Sequence, residues 1–285
     1  MIIILGAVII FGSVLGGFTI SGGSVASLIH PSELLVIGGA AFGAMVIMAP
    51  KAVLIALFKN ALATFKGVPY SQQSYKDLFL AMYELFMVGR KNGMIALEEH
   101  VNEPENSSIF SKYPSFAKNP LAMGFLCEGL RPVIDGRVKA EQLGSLFDVQ
   151  LKKMDHEGHE PVDVLTKVGD ALPGFGIVAA VLGIVITMGA ISGPIEEIGH
   201  KVGTALVGTF LGIFMAYGFV NPIAVNMTFL HNSTIDFLKC ISSAVVSFTT
   251  GMAPAMAIEI SRRSVASSLR PTSEEMEELM KSVKP

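Results

Sequence analysis

Residues 169–222 decide the fold of this chain, and they read GDALPGFGIVAAVLGIVITMGAISGPIEEIGHKVGTALVGTFLGIFMAYGFVNP. Two apolar spans, 172–191 and 202–220, lie on either side of a short polar loop. Each is close to the roughly 20 residues that an α-helix needs to cross a bilayer core. Both contain small residues four positions apart, Ala179 with Gly183 and Gly208 with Gly212. That spacing lets helix backbones approach closely in lipid, so the stretch predicts a tightly packed pair of membrane helices.

Thr209 places a hydroxyl in the middle of the second of these spans, and neither span contains a charged side chain. A small-residue helix pair with a polar group and no carboxylate is typical of a channel wall whose titrating group comes from another element. The alternative is that Thr209 bonds only to a carbonyl of its own helix.

Composition agrees with a membrane protein, because 51% of the residues are hydrophobic and only 16% are charged. A net charge of −3 gives no basic surface for nucleic acid. The two cysteines, Cys127 and Cys240, are far apart in sequence, and we expect both to be reduced. The first apolar run has no charged segment before it and no clear cleavage motif, which favours a retained helix over a signal peptide.

Two further spans, 2–20 and 34–49, bring the expected number of membrane helices to four. Lysine and arginine orient them. The loop at 22–32 has none and the loop at 192–201 has one, whereas 50–171 has fourteen and the tail after Pro222 has six. By the positive-inside tendency, both termini and the large middle segment are expected to be cytoplasmic.

The sequence therefore predicts an all-α membrane protein in four parts: two membrane helices (1–50), a cytoplasmic helical domain (51–171), two pore-lining helices (172–222) and a cytoplasmic tail (223–285). In the middle domain, helical spacing of apolar residues begins after Ser71, a good N-cap, and stops at Asn92-Gly93. Shorter helices are expected at 94–101 and 121–132, followed by a long helix at 138–167. Residues 244–260 are expected to pack on this domain, and a fifth span is the alternative.

Several polar residues admit a functional and a simpler interpretation. The run Asp155-His156-Glu157-Gly158-His159-Glu160 resembles a ligand set, but Gly158 should interrupt helical spacing, and we interpret the run as a solvated segment without a metal. Pro173 and Pro222 either punctuate helices or act as hinges. Arg90 and Glu98 lie on either side of Gly93, either as a solvated corner or as a charged docking surface. No HExxH, Walker A, dinucleotide-binding or G-x-S-x-G motif occurs, so an enzyme is not expected.

The chain closely resembles the MotA family of flagellar motor stator subunits. The resemblance rests on motifs distributed over nearly its whole length, namely GDxLPxFGIVAA from Gly169, VGTFLG from Val207, AYGF from Ala216, Pro222, GMxxLE from Gly93, Ile109-Phe110, Tyr113-Pro114 and GxAP from Gly251. Ala255 departs from relatives that have a second proline after Pro254, which leaves the path of the tail open.

The resemblance implies an inner-membrane complex in which five such subunits surround two copies of MotB. MotB would supply the titrating aspartate and the peptidoglycan anchor, and proton flow would turn the ring against the rotor protein FliG. By position, Thr209 matches the pore-lining threonine, Pro173 and Pro222 match the coupling prolines, and Arg90 and Glu98 match the rotor-contacting charges.

The resemblance also bears on the ion. Sodium-driven members of the family have a pore-facing hydroxyl in the third span, where this chain has Ala180. We therefore expect H⁺ as the transported ion and no other cofactor, with simple packing at Ala180 as the alternative. Three other functions remain open: an ExbB/TolQ-type energiser, a non-conducting scaffold and an intramembrane enzyme, the last of which has no candidate nucleophile or base in any predicted span.

Overall fold

The computed structural model describes residues 2–189 and 194–283, and this described part is helical without any β-strand. The all-α membrane fold predicted from the sequence is confirmed. The α-helices of the described part are α1 (Ile2–Ile20), α2 (Pro31–Met48), α3 (Lys51–Thr64), α4 (Gln72–Asn92), α5 (Glu98–Asn102), α6 (Pro114–Ala117), α7 (Pro120–Ile134), α8 (Ala140–Met188), α9 (Ile195–Met215), α10 (Asn221–Thr249), α11 (Pro254–Arg263) and α12 (Ser273–Ser282).

Four helical segments are long and apolar enough to cross a membrane, which confirms the predicted number of spans. They are Ile2–Ile20, Val25–Met48, Ala140–Met188 and Ile195–Thr249. The first of them, α1, buries none of its residues within the chain and exposes Ile4, Leu5, Val8 and Phe11. An uncovered apolar helix of this kind needs lipid or another protein against it.

The third span differs from expectation because it belongs to one helix of 49 residues. The sequence predicts a break between 167 and 172 and an interruption at Gly158, but α8 passes through Gly158, Pro161 and Pro173. A glycine lowers helix stability by only about 1 kcal/mol, and an interior proline removes one hydrogen bond at about 3 kcal/mol. These losses are small compared with the packing of so long a helix. Residues 190–193, which contain the expected end of this span at 191, lie outside the described residues.

The fourth span begins earlier and continues further than the predicted 202–220. Helix α9 starts at Ile195, so the expected loop at 192–201 is mostly helical in its described part. A π-helical turn, Ala216–Val220, joins α9 directly to α10. Pro222, in the first turn of α10, has no N–H, and its ring would crowd the carbonyl four residues earlier in a regular helix. The wider turn just before it accommodates this defect, so the helix continues instead of ending.

The chain divides into two compact units, and the first contains residues 1–67 and 157–230. This membrane unit has a core that includes Ile37, Met45, Leu57, Leu172 and Ala179. Leu57 belongs to α3, a helix that the sequence analysis did not predict, which starts immediately after Pro50. Residues 51–67 therefore group with the membrane helices by contact, although we had assigned them to the cytoplasmic domain.

The second unit contains residues 68–156 and 231–285. In this helical unit, Ser71 caps α4 through reciprocal bonds with Ser74, as expected from a capping box. The helix ends at Gly93, whose φ of 87° suits glycine. Aromatic rings fill the core, with Phe86 stacked on Phe248 at 4.3 Å between ring centroids.

Residues 244–260 pack into the core of the helical unit, which confirms the expectation that they pack on this domain. Ala244, Phe248 and Ala257 are buried there. A salt bridge holds the tail beyond them, since Arg262 binds Glu259 at 2.7 Å and also donates to the Pro271 carbonyl at 2.8 Å. The bond from Arg262, with a further one from Arg263, holds the pKa of Glu259 down to about 2.

Candidate functional site

Helices α8 and α9 cross at glycines that leave no room for a side chain. A methyl group on Gly212 would lie 2.6 Å from the Leu172 carbonyl oxygen, and one on Gly176 would lie 2.8 Å from the Gly208 carbonyl oxygen. Non-bonded contacts of real Cβ atoms are essentially never this short, and both distances are to backbone atoms that cannot rotate away. The close approach that the small-residue spacing predicted is therefore present.

Thr209 and Ala180 both lie at this crossing, in different environments. Thr209 is half-buried, and its hydroxyl has no hydrogen-bond partner among residues 2–189 and 194–283. Thr187, by contrast, bonds back to the carbonyl of Gly183 at 2.8 Å. Ala180 is 9% exposed, and its backbone nitrogen is 3.3 Å from where a methyl group on Gly208 would lie. Thr209 thus offers a free hydroxyl, while Ala180 packs against α9.

Pro173 and Pro222 both lie within helices, and residues next to them are in contact with each other. The carbonyl that Pro173 leaves without its helical donor belongs to Gly169, four residues earlier. A methyl group on Gly169 would lie 1.8 Å from the side-chain oxygen of Asn221, the residue before Pro222. Asn221 donates to Asp170 at 3.4 Å, and its buried oxygen is without a hydrogen-bond partner in the described part of the chain. The helix irregularities at both prolines therefore meet at one packed contact.

Arg90 and Glu98 are both exposed on the helical unit, on either side of Gly93. Arg90 makes one long bond, 3.4 Å, to the Gly251 carbonyl, and Glu98 accepts one of 3.4 Å from Asn102. Neither side chain is tied into the core. Their placement leaves both charges available to another protein.

The polar run at 155–160 is helical and is part of α8. Asp155 lies 3.0 Å from the imidazole Nε2 of His231 and is not fully solvated. The interpretation of this run as a free solvated segment was therefore too simple.

Sequence reasoning missed one ionisable residue of the membrane unit, Glu33. It lies in the first turn of α2 and is 6% exposed. The second span predicted from the sequence starts at residue 34, one position after it. The proline that begins α2, Pro31, was the signal that could have placed Glu33 inside the helix.

The match to known families covers both units. Residues 4–93 match the Motility protein A N-terminal family, and residues 117–236 match the MotA/TolQ/ExbB proton channel family. Motility protein A of Salmonella typhimurium is 34% identical over 284 residues, which is 100% of this chain and 96% of that protein. Chemotaxis protein LafT of Vibrio parahaemolyticus is 33% identical over 273 residues, covering 96% of each chain.

Solved structures show the same fold. The C. jejuni MotAB structure matches with a TM-score of 0.78 at 23% identity, covering 95% of this chain and 98% of that one. The flagellar MotAB stator complex of Bacillus subtilis matches with a TM-score of 0.72 at 23% identity, covering 90% and 92%.

Four apolar helices, a glycine-packed crossing and the second family match define a membrane subunit of the MotA/TolQ/ExbB proton channel class. Within that class the chain belongs to the motility protein A family, and it is a flagellar stator subunit.

The Gly169–Asn221 contact makes a prediction about stability. We expect Gly169→Ala to lower the melting temperature of the purified chain, because the new methyl group collides with the Asn221 side chain, and overpacking of this kind costs about 1–3 kcal/mol. Asn221→Ala in the same chain should recover part of the loss. Gly174→Ala is the matched control, since a methyl group there meets nothing within 4 Å. Equal losses from Gly169→Ala with and without Asn221→Ala would show that the two residues are not coupled.

Proposed function

We propose that this chain conducts protons together with MotB and converts their flow into torque on the rotor protein FliG. In this proposal, five copies form a ring around two copies of MotB in the bacterial inner membrane. The observation that carries the proposal is the α8–α9 crossing, where the Thr209 hydroxyl has no hydrogen-bond partner among the described residues. A free hydroxyl on a membrane helix is a group that an ion path can use.

MotB is the proposed source of the titrating aspartate and of the peptidoglycan anchor. Support comes from the solved relatives, which are MotAB complexes. The sequence agrees, because the described membrane parts of α8 and α9 around Thr209 contain no carboxylate of their own. We propose no catalytic step for this chain, in keeping with its membership of a proton channel family.

Coupling is proposed to pass through Pro173 and Pro222. Helices with a missing hydrogen bond bend more readily at that point, and here both irregularities meet at the Gly169–Asn221 contact. A change of protonation near Thr209 would alter the packing of α8 on α9. Both helices continue from the crossing to these prolines, α9 through the π-helical turn.

Two alternatives are less well supported. An ExbB/TolQ-type energiser shares the matched region 117–236, but the match at 4–93 is to the motility protein family and includes Arg90. A non-conducting scaffold has no use for the unpartnered Thr209 hydroxyl. Proton flux into vesicles that hold this chain with MotB distinguishes the proposed channel from a scaffold.

We propose that both termini and the helical unit are cytoplasmic, and cysteine labelling tests this. Ser24 and Ser108 are both exposed, whereas the native Cys127 and Cys240 are buried. In intact cells, a membrane-impermeant thiol reagent should label Ser24→Cys and leave Ser108→Cys unlabelled until the cells are opened. Labelling of Ser108→Cys alone in intact cells would reverse the orientation.

Arg90 and Glu98 are the proposed contacts with FliG. Exposed charges contribute only about 0.2–1 kcal/mol each and mainly steer association. We therefore expect Arg90→Glu to reduce torque while membrane abundance stays normal, and an opposite charge reversal on FliG to restore part of the rotation. Lys118→Glu, a charge reversal at another exposed position of the same unit, is the control and should leave torque unchanged. Loss of Arg90→Glu from the membrane fraction would instead indicate a structural role.

The transported ion is proposed to be H⁺. Sodium needs several oxygen ligands in place of its water shell, and the third span offers Ala180 where a hydroxyl would be needed. Motor speed in cells that depend on this chain should survive complete removal of sodium and should stop when a protonophore is added. Rotation that stops without sodium, and that resists a protonophore while sodium is present, would overturn the argument from Ala180.

A further inference from the structure

We propose that Glu33 is a second proton-binding site of this channel, supplied by the chain itself and loaded through His30. The inference rests on the proposed function, because it places the site on the same proton path. Three observations carry it: the burial of Glu33, its depth along α9, and the orientation of His30 beside it.

Glu33 is a buried carboxylate in a membrane helix. It is 6% exposed, and its Oε2 has no hydrogen-bond partner within residues 2–189 and 194–283. No other ionisable residue occurs in α1, in the rest of α2 or in 172–188 of α8. An ionisable group at this position is costly to keep without a partner, and in membrane proteins such groups mark ion and proton pathways.

The carboxylate lies at the depth of the α8–α9 crossing. A methyl group on Gly208 would lie 2.9 Å from Glu33 Oε2, so this oxygen rests directly on the Gly208 backbone. Gly208 follows the first residue of α9 by 13 positions, which is about 20 Å of helix. Its next neighbour in sequence is Thr209. Glu33 is therefore packed against α9 at the level where the proposed ion path runs.

His30 lies one helical turn before Glu33, at the start of α2. Its Nε2 lies 3.0 Å from the Thr204 hydroxyl, which itself donates to the His200 carbonyl at 3.0 Å. With the single Thr204 proton on the His200 carbonyl, the His30 ring donates from Nε2. In the neutral ring Nδ1 is then the basic nitrogen, and it is buried without a partner in the described part of the chain. The bond to Thr204 therefore holds the His30 ring with its unpartnered Nδ1 in the interior.

Exposure falls stepwise along this group of residues. His200 is exposed, His30 is half-buried at 6.3 Å between ring centroids, and Glu33 is buried. Thr204 and Gly208, which contact His30 and Glu33, are successive turns of one face of α9. The other ionisable groups near this end of α9 are Glu196 and the Glu197–Lys201 pair at 2.9 Å, and the turn Val25–Leu28 that packs on α9 has none.

The proposed step is a proton transfer. His30 Nδ1 and Glu33 Oε2 are both without a hydrogen-bond partner in the described part of the chain, so the transfer needs a small side-chain movement or a bridging water. Protonated His30 then gives the proton on Nδ1 to the Glu33 carboxylate, which leaves a neutral imidazole and a neutral carboxylic acid. Glu33 returns to its charged form when it passes the proton to the acidic acceptor in the channel.

The test compares motor rotation at high and low load in cells whose stator contains this chain with MotB. At high load, the torque depends on the free energy that each ion releases. At low load, the speed depends on how fast ions arrive. We expect Glu33→Gln to keep its torque at high load and to lose low-load speed several-fold, with a larger slowing in D₂O than the wild type shows. Glu33→Asp should recover part of the speed, and His30→Gln should show a milder loss. Glu196→Gln, an exposed acid at the same end of α9, should behave as the wild type.

Two results would overturn the inference. One is a Glu33→Gln motor with wild-type speed at low load. The other is a loss of torque and speed in equal proportion with an unchanged D₂O effect, which would make Glu33 a packing residue. If Glu33→Gln fails to reach the membrane, His30→Gln decides by the same two criteria. Failure of the proposed function would appear separately, as a wild-type chain that drives no rotation or drives it only with sodium.

Discussion

The close approach of α8 to α9 is the contact on which the membrane unit depends. Gly176 and Gly212 face backbone atoms at distances that exclude even a methyl group. In lipid there is no hydrophobic drive between helices, so packing at such short range has to supply the association. Because the backbones touch, Thr209 and Ala180 are brought to the same crossing. The candidate ion path is therefore a consequence of glycine placement as much as of its polar residues.

The spans, their number and the crossing could be predicted because they depend on local composition and spacing. The continuity of α8 through Pro173 and of α9 into α10 at Pro222 could not, because both prolines are read from sequence as helix ends. A proline only weakens a helix, and whether the helix continues depends on what packs against it. At Pro222 the helix continues because a π-helical turn lies just before it, and no residue pattern near Ala216 predicts that turn.

The functional residues show the same division. Arg90 and Glu98 were identified by motif and position, and the structure places both at the surface, on either side of Gly93. Asn221 and Glu33 were missed, since each matters through a partner distant in sequence, Gly169 for the first and Gly208 for the second. Helix α3 was missed for a related reason. Only Leu57 is buried in its first two turns, so the α3 sequence alone shows no clear apolar face, and that face becomes apparent only when α2 packs against it.

Gly208 has two structural roles, one in the packing of α9 on α8 and one in leaving space for a carboxylate from α2. A glycine lets α9 approach Ala179 and Ala180 of α8, which makes the crossing tight. The same missing side chain leaves space for the Glu33 carboxylate from α2, which introduces the one acid of this region. Any larger residue at this position would have to push away either the neighbouring backbone or the carboxylate. Tight helix packing and the proposed internal proton site therefore depend on the same missing methyl group.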